Sequence, residues 1–190
     1  MITTVVFDFF GVVSSEVAPF WFEKRFPSDA VRLKHEYMSP ADDGRINDVE
    51  LFENLSRLSG EPAEEIRQEF YRLAVINHDT VALIERLRKN YRVALLSNAQ
   101  AEWLEGIFER DGLCRLFDER IISSKERVSK PSREIFELLL ERVGISPEEA
   151  VFLDDNVKNV EAARTVGMHG IVFESAEQAE CELSSLGIKI

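Results

Sequence analysis

The sequence predicts an α/β protein built on a parallel sheet, and three observations carry that expectation. Short apolar, β-rich runs alternate with segments of helical apolar spacing, the pattern of strands joined by crossover helices. Three of these runs stop at chemistry-bearing residues. Val5-Val6-Phe7 ends in Asp8, Val93-Ala94-Leu95-Leu96 in Ser97-Asn98, and Val151-Phe152-Leu153 in Asp154-Asp155. In open α/β sheets the ligand crevice lies outside the carboxyl ends of the strands, so these residues are placed to act. Lastly, residues 14–78 break the alternation and contain no good strand.

Thr3–Phe7 reads as the first strand and runs into Asp8 and a turn at Gly11. The following segment reads as several amphipathic helices punctuated by Pro19, Pro27, Pro40, Gly44, Gly60 and Pro62. Its clearest helix is Asp48–Leu58, with Val49, Leu51, Phe52, Leu55 and Leu58 on one face. Thr80–Lys89 is a helix with Asp79 as N-cap, and Arg92–Leu96 the second strand. Arg120–Ile122 is the third strand, before a helix over Glu134–Val143 that Gly144 stops. Ala150–Leu153 is the fourth, followed by a helix over Val157–Val166 that ends at Gly167. Gly170–Phe173 is the fifth, and the acidic stretch Glu174–Ser185 a surface helix.

A chain of 190 residues predicts one domain with room for an insertion. No stretch approaches the roughly 20 apolar residues a bilayer span needs. No basic segment precedes the first apolar run, so no signal peptide is expected. Cys114 and Cys181 are the only cysteines, which predicts no disulfide scaffold and a reducing, cytoplasmic setting. A net charge of −12 argues against nucleic acid as the main partner, because phosphate-backbone binding rests on basic patches. An anionic substrate must be attracted locally, by a metal ion, a lysine and backbone N–H groups.

The residues at the strand ends suit that task. A carboxylate such as Asp8 can act as a nucleophile, splitting one displacement into two easier ones. Adjacent carboxylates such as Asp154 and Asp155 repel each other unless a cation or basic group intervenes. Their plainer role is to cap and open the helix that follows. Ser97 and Asn98 can donate to a phosphate oxygen, from the hydroxyl and the backbone N–H, or simply terminate a strand. Lys130, before Pro131, is either a solvated lysine or a point charge for a phosphoryl group.

Taken in order, Asp8-Phe9-Phe10-Gly11-Val12, Ser97-Asn98, Lys130-Pro131 and Asp154-Asp155 resemble the four motifs of the haloacid dehalogenase-like (HAD) hydrolase superfamily. The resemblance implies a Rossmann-like core from residues 1–13 and 79–190, with a small helical cap from residues 14–78. It implies a monomer or homodimer that hydrolyses a small phosphorylated metabolite, such as a sugar phosphate, with Mg²⁺ and through an aspartyl phosphate. Asp8, Lys130 and Ser97 would be catalytic. Phe9, Phe10, Ser97, Asn98, Lys130 and Arg45 would meet substrate. Asp8, the Phe10 carbonyl, Asp155 and Asp154 would hold the metal, helped by Asn156 and Asn159. His35 and His78 are weaker candidates from the same segment as Arg45, and Trp21 and Trp103 read as packing residues.

Phe10 departs from the pattern. Phosphatases of the superfamily usually carry an aspartate there, which protonates the leaving group and later deprotonates the attacking water. A phenyl ring does neither. The substrate has a good leaving group, or a cap residue substitutes, or the chain is not a phosphatase. Haloacid dehalogenases proper carry an aromatic residue at this place and need no metal, and a non-catalytic binding protein is a further alternative. The Asp154-Asp155 pair favours the phosphatase.

Overall fold

A computed structural model of the chain describes residues 1–190. Its sheet comprises β1 (Thr4–Phe7), β2 (Arg92–Ser97), β3 (Glu119–Ile122), β4 (Ala150–Asp154) and β5 (His169–Val172). The strand order is β3-β2-β1-β4-β5 and every neighbouring pair is parallel. The five strands coincide with the expected runs to within a residue at each end. From β1 the chain builds outward through β2 to β3, then crosses to place β4 on the other side of β1. That reversal opens a crevice between the carboxyl ends of β1 and β4, where Asp8 and Asp154-Asp155 stand.

Between β1 and the next core helix lie four inserted helices: α1 (Ala18–Arg25), α2 (Ala30–Asp42), α3 (Asp48–Ser59) and α4 (Ala63–Leu73). The chain enters and leaves them along a paired neck. Ser15 N–H donates to the Val75 carbonyl (2.9 Å), and Asn77 N–H to the Val13 carbonyl (2.9 Å). A capping box opens α3: the Asn47 side chain accepts from Glu50 N–H while the Glu50 side chain accepts from Asn47 N–H. Pro40, expected at a break, lies inside α2. It falls in the last turn, where its missing N–H removes only one backbone bond.

The remaining helices are α5 (His78–Leu87), α6 (Ala101–Asp111), α7 (Ser123–Glu126), α8 (Arg133–Val143), α9 (Val157–Val166) and α10 (Ala176–Ser185). The N-cap of α5 is Asn77, whose side chain accepts from Thr80 N–H (3.3 Å), not Asp79. None of these helices is long and apolar enough to cross a membrane.

Successive strand residues point to opposite faces, and both faces are covered. Val5 and Phe7 pack with the inserted helices, α5 and α6, while Val6, Ala94, Leu96 and Phe152 pack with α8. Strands buried on both sides read as continuous apolar runs, which made them visible in the sequence.

The insertion shares its core with the sheet through a file of aromatic rings. Phe10 stacks on Trp103 of α6 with centroids 5.0 Å apart and planes 7° apart. Trp103 meets Phe70 of α4 edge-on at 5.5 Å, and Phe70 meets Trp21 of α1 at 5.8 Å. Trp103→Ala should therefore loosen insertion and core together, costing about 3–5 kcal/mol of unfolding free energy, which urea denaturation measures.

Candidate active site

β1 ends one residue before Asp8, whose own N–H donates to the Leu153 carbonyl of β4 (2.9 Å) and continues the sheet pairing. The Asp8 carboxylate is thus held at the crevice by backbone. Its Oδ1 accepts from Phe9 N–H (2.6 Å) and lies 2.9 Å from Lys130 Nζ. Its Oδ2 accepts from no protein donor.

Lys130 lies in the turn before α8 and is buried. Its ammonium bridges Asp8 and Asp154, donating to Asp154 Oδ2 at 2.6 Å. Asn98 fixes the lysine's backbone with a reciprocal pair of bonds. Asn98 Nδ2 donates to the Lys130 carbonyl (2.9 Å), and Lys130 N–H donates to Asn98 Oδ1 (2.8 Å). The Asn98 side chain is therefore a bracket for Lys130, and only its backbone is free for a ligand. Burial opposes the charge on Lys130, but the attraction of Asp8 and Asp154 outweighs it and raises the pKa above the ordinary lysine value.

The two acids of the expected metal pair differ. Asp154 is fully buried and saturated. Oδ1 accepts from Asn156 N–H (2.8 Å) and Asn159 Nδ2 (3.1 Å), and Oδ2 from Lys130 and Asn159 Nδ2 (3.0 Å). A carboxylate offers about four lone-pair directions, and these three donors occupy most of them. Asp154 thus stands in the acidic cluster already bonded to Lys130, Asn156 and Asn159. Asp155 is more open, and no other residue hydrogen-bonds its carboxylate. Gly11, at φ +79°, lets the turn after β1 run against it. A Cβ at Gly11 would stand 2.3 Å from Asp155 Oδ2.

Asp8, Asp154 and Asp155 each present a carboxylate oxygen within 4.8 Å of the others. One lysine cannot balance three carboxylates. Burial pushes the Asp8 carboxyl well up against the pull of Lys130, and burial with the neighbouring Asp154 raises Asp155. A divalent cation would remove that repulsion. The oxygens left free for it are Asp8 Oδ2, the Asp155 carboxylate and the Phe10 carbonyl, which accepts no protein hydrogen bond.

Other expected site residues are less central. Phe9 packs its ring into the core against Phe108 (5.3 Å), away from the cavity. Ser97 ends β2 fully buried, its hydroxyl without a partner. Arg45 is exposed and pairs with Asp43 Oδ2 (3.0 Å) in a different groove, so it does not line the cavity around Asp8. His35 is exposed and bonds Ser39 Oγ (2.9 Å), and His78 is exposed at the start of α5, so neither lines the cavity.

The insertion instead presents Glu16, Lys34, Met38 and Asp42 to the cavity that holds Asp8, Phe10, Lys130 and Asp155. The sequence reading passed over these four, since nothing local distinguishes them from surface residues. Trp103, read as packing alone, also lines the cavity. Burial chiefly raises the Asp42 pKa to about 7, with Lys34 and Lys130 opposing and Asp43 and Glu16 adding to it.

The chain belongs to the haloacid dehalogenase-like hydrolase family, whose model matches residues 2–167. A sesquiterpene phosphatase of Aspergillus oryzae is 28% identical over 147 residues, 75% of each chain. The solved structure of a predicted HAD-like family hydrolase from Porphyromonas gingivalis superposes with a TM-score of 0.81 at 24% identity, covering 100% of both chains. A HAD family enzyme of Bacteroides thetaiotaomicron, solved with magnesium and inorganic phosphate, gives 0.77 at 23% identity, covering 92% of this chain and 95% of that one. The first curated relatives differ widely in length, and the chain spans between 6% and 75% of them.

Two outcomes follow from this electrostatic arrangement. Lys130→Met leaves Asp8 and Asp154 buried without their cation and should destabilise the fold by about 3–5 kcal/mol in urea denaturation. Asp42 is raised from 3.8 to about 7, so the folded state holds its proton more tightly than the unfolded chain does. Stability is therefore lost as pH rises through this window. Asp42→Asn should raise Tm above pH 7, and the gain should shrink as pH falls toward 3.8, read by thermal melts across pH.

Proposed function

We propose that the chain is a Mg²⁺-dependent phosphatase of small phosphorylated metabolites, working through an aspartyl phosphate on Asp8. The observation that carries this is the set of oxygens the protein leaves free beside Lys130: Asp8 Oδ2, the Phe10 carbonyl and Asp155. Mg²⁺ prefers oxygen ligands and keeps waters and substrate phosphate in the rest of its octahedron, which suits a three-oxygen protein set. When bound, the metal would neutralise charge between the nucleophile and the phosphoryl group. The solved relative with magnesium and phosphate, and the sesquiterpene phosphatase, support the same reading.

In this reading the Asp8 carboxylate attacks phosphorus, oriented by Phe9 N–H and Lys130. Lys130 supplies positive charge where negative charge gathers on the phosphoryl oxygens. The Ser97 hydroxyl, buried without a partner, would donate to one of those oxygens, relieving an unsatisfied group worth about 1–3 kcal/mol. Asn98 N–H would donate beside it. The inserted helices, residues 14–78, would act as the cap that closes the leaving-group side. A soluble monomer or homodimer in the cytoplasm would suffice for such a substrate.

The aromatic residue at position 10 favours a metal-free haloacid dehalogenase as the second reading. The unpaired Asp155 carboxylate weighs against it, because a metal-free site would leave that charge beside Asp8 uncompensated.

A panel of phosphate esters and 2-haloacids, assayed with Mg²⁺ and with chelator, separates the readings. Phosphate release that chelator abolishes is expected, and halide release in chelator would overturn the proposal. Asp8→Asn should abolish turnover while leaving the circular dichroism unchanged. Asp155→Ala should lose Mg²⁺ binding in titration calorimetry together with activity, and unchanged affinity would remove Asp155 from the ligand set.

A further inference from the structure

Phe10 leaves the site without a proton donor at its usual place, and the ring is committed elsewhere, stacked on Trp103 and edge-on to Phe9 (5.0 Å). Across the cavity from the strand ends the insertion offers Glu16, Lys34 and Asp42. None of the three side chains makes a hydrogen bond or ion pair with another residue. Half-buried polar groups that line a cavity without protein partners are available to a ligand there.

Asp42 is the most firmly placed of the three. It is the last residue of α2, and three contacts hold this end to the core. Ser123 Oγ donates to the Asp42 carbonyl (2.6 Å) while accepting from Ala99 N–H (3.0 Å), and so ties α2 to the turn after β2. Ser129 Oγ, one residue before Lys130, donates to Asp43 Oδ1 (2.6 Å). Gly44, at φ +67°, packs so closely that a Cβ there would stand 2.1 Å from the Ser124 carbonyl oxygen. The same loop that sets Lys130 therefore sets Asp42.

We propose that Asp42 is the acid–base residue of this enzyme, supplied by the insertion in place of the residue that Phe10 displaces. The inference rests on the phosphatase reading. As the Asp8 carboxylate bonds to phosphorus and the P–O bond to the leaving group breaks, the Asp42 carboxyl gives its proton to the departing oxygen and becomes a carboxylate. In the second half the carboxylate takes a proton from water, whose oxygen bonds to phosphorus as the bond to Asp8 breaks. Phosphate leaves, and both Asp8 and Asp42 return to their starting states. A carboxyl at a helix C-terminus is disfavoured as the anion, as is one partly removed from water. Its pKa of about 7 keeps a protonated fraction available at neutral pH. The groups facing it are Lys34 and Asp43 on its own segment, Glu16 from the turn after β1, and Lys130 from the core.

The test compares Asp42→Asn with parent on 4-nitrophenyl phosphate and on glycerol phosphate, with Mg²⁺, by rapid-quench kinetics. The variant keeps the carbonyl that Ser123 holds. Its phosphorylation rate on glycerol phosphate should fall by about 10²–10⁴-fold, the usual worth of general acid help. On 4-nitrophenyl phosphate, whose leaving group needs no proton, it should show a burst of nitrophenolate followed by slow turnover, because water is no longer activated. In parent the phosphorylation rate on glycerol phosphate should fall as pH rises through about 7, and the variant should lack that limb. This parent profile tests the proposal even if the variant folds poorly. Equal losses on both esters, no loss on either, or the selective pattern in Glu16→Gln and not in Asp42→Asn would each overturn the assignment. If parent shows no Mg²⁺-dependent turnover of either ester, the phosphatase reading falls and this inference with it. If parent turns both over and the pattern is absent, only Asp42 is wrong.

Discussion

A buried ammonium needs fixed acceptors, and Lys130 has them in the carboxylates of Asp8 and Asp154, each placed where a strand ends. Most of the site is arranged around that bridge. Asn98 holds the lysine's backbone from the end of β2, and Asn156 and Asn159 complete the hydrogen bonds of Asp154 from the start of α9. Desolvating these charges is expensive, and only dense pairing of this kind lets them persist inside the fold. The pairing also leaves a remainder: more negative charge than one lysine can balance, with Asp8 Oδ2 and Asp155 facing the cavity. That remainder is the charge a divalent cation would neutralise.

Phe10 shows how one side chain redistributes chemistry. A carboxylate at this position would stand in the crevice, whereas the ring turns to Trp103 and joins the file that runs through Phe70 to Trp21. The ring adds packing there and offers no group that can move a proton. The polar groups of the cavity then come from the other wall, from α2 and the turn after β1. The contacts of Ser123 and Ser129 with the end of α2 fix where Asp42 stands relative to the strand ends.

Much of this was legible in the chain itself. Strands buried on both faces announce themselves as continuous apolar runs, and residues at their carboxyl ends are adjacent in sequence to the runs that place them. Asp8, Ser97, Asn98 and the Asp154-Asp155 pair were found for that reason, as was α9, bounded by Asn156 and Gly167. Arg45 was singled out because it follows Gly44 in a loop. That turn packs against Ser124 and sends Arg45 outward to Asp43, a result no local pattern contains. Pro40 likewise reads as a break, yet α2 continues to Asp42 because the tertiary contacts of its last turn hold it there.

By itself the sequence determined the parallel sheet, the placing of the motif residues at strand ends and the absence of an acid at residue 10, since each depends on neighbours within a few positions. Tertiary structure decided which of two adjacent aspartates turns inward to Lys130 and which stays free. It also decided that the Asn98 side chain serves the fold, and that Glu16, Lys34 and Asp42 face Asp8 across the cavity. These are relations between segments far apart in the chain. They are fixed by how the insertion folds back and by where buried charges find partners, and no spacing along the sequence encodes them.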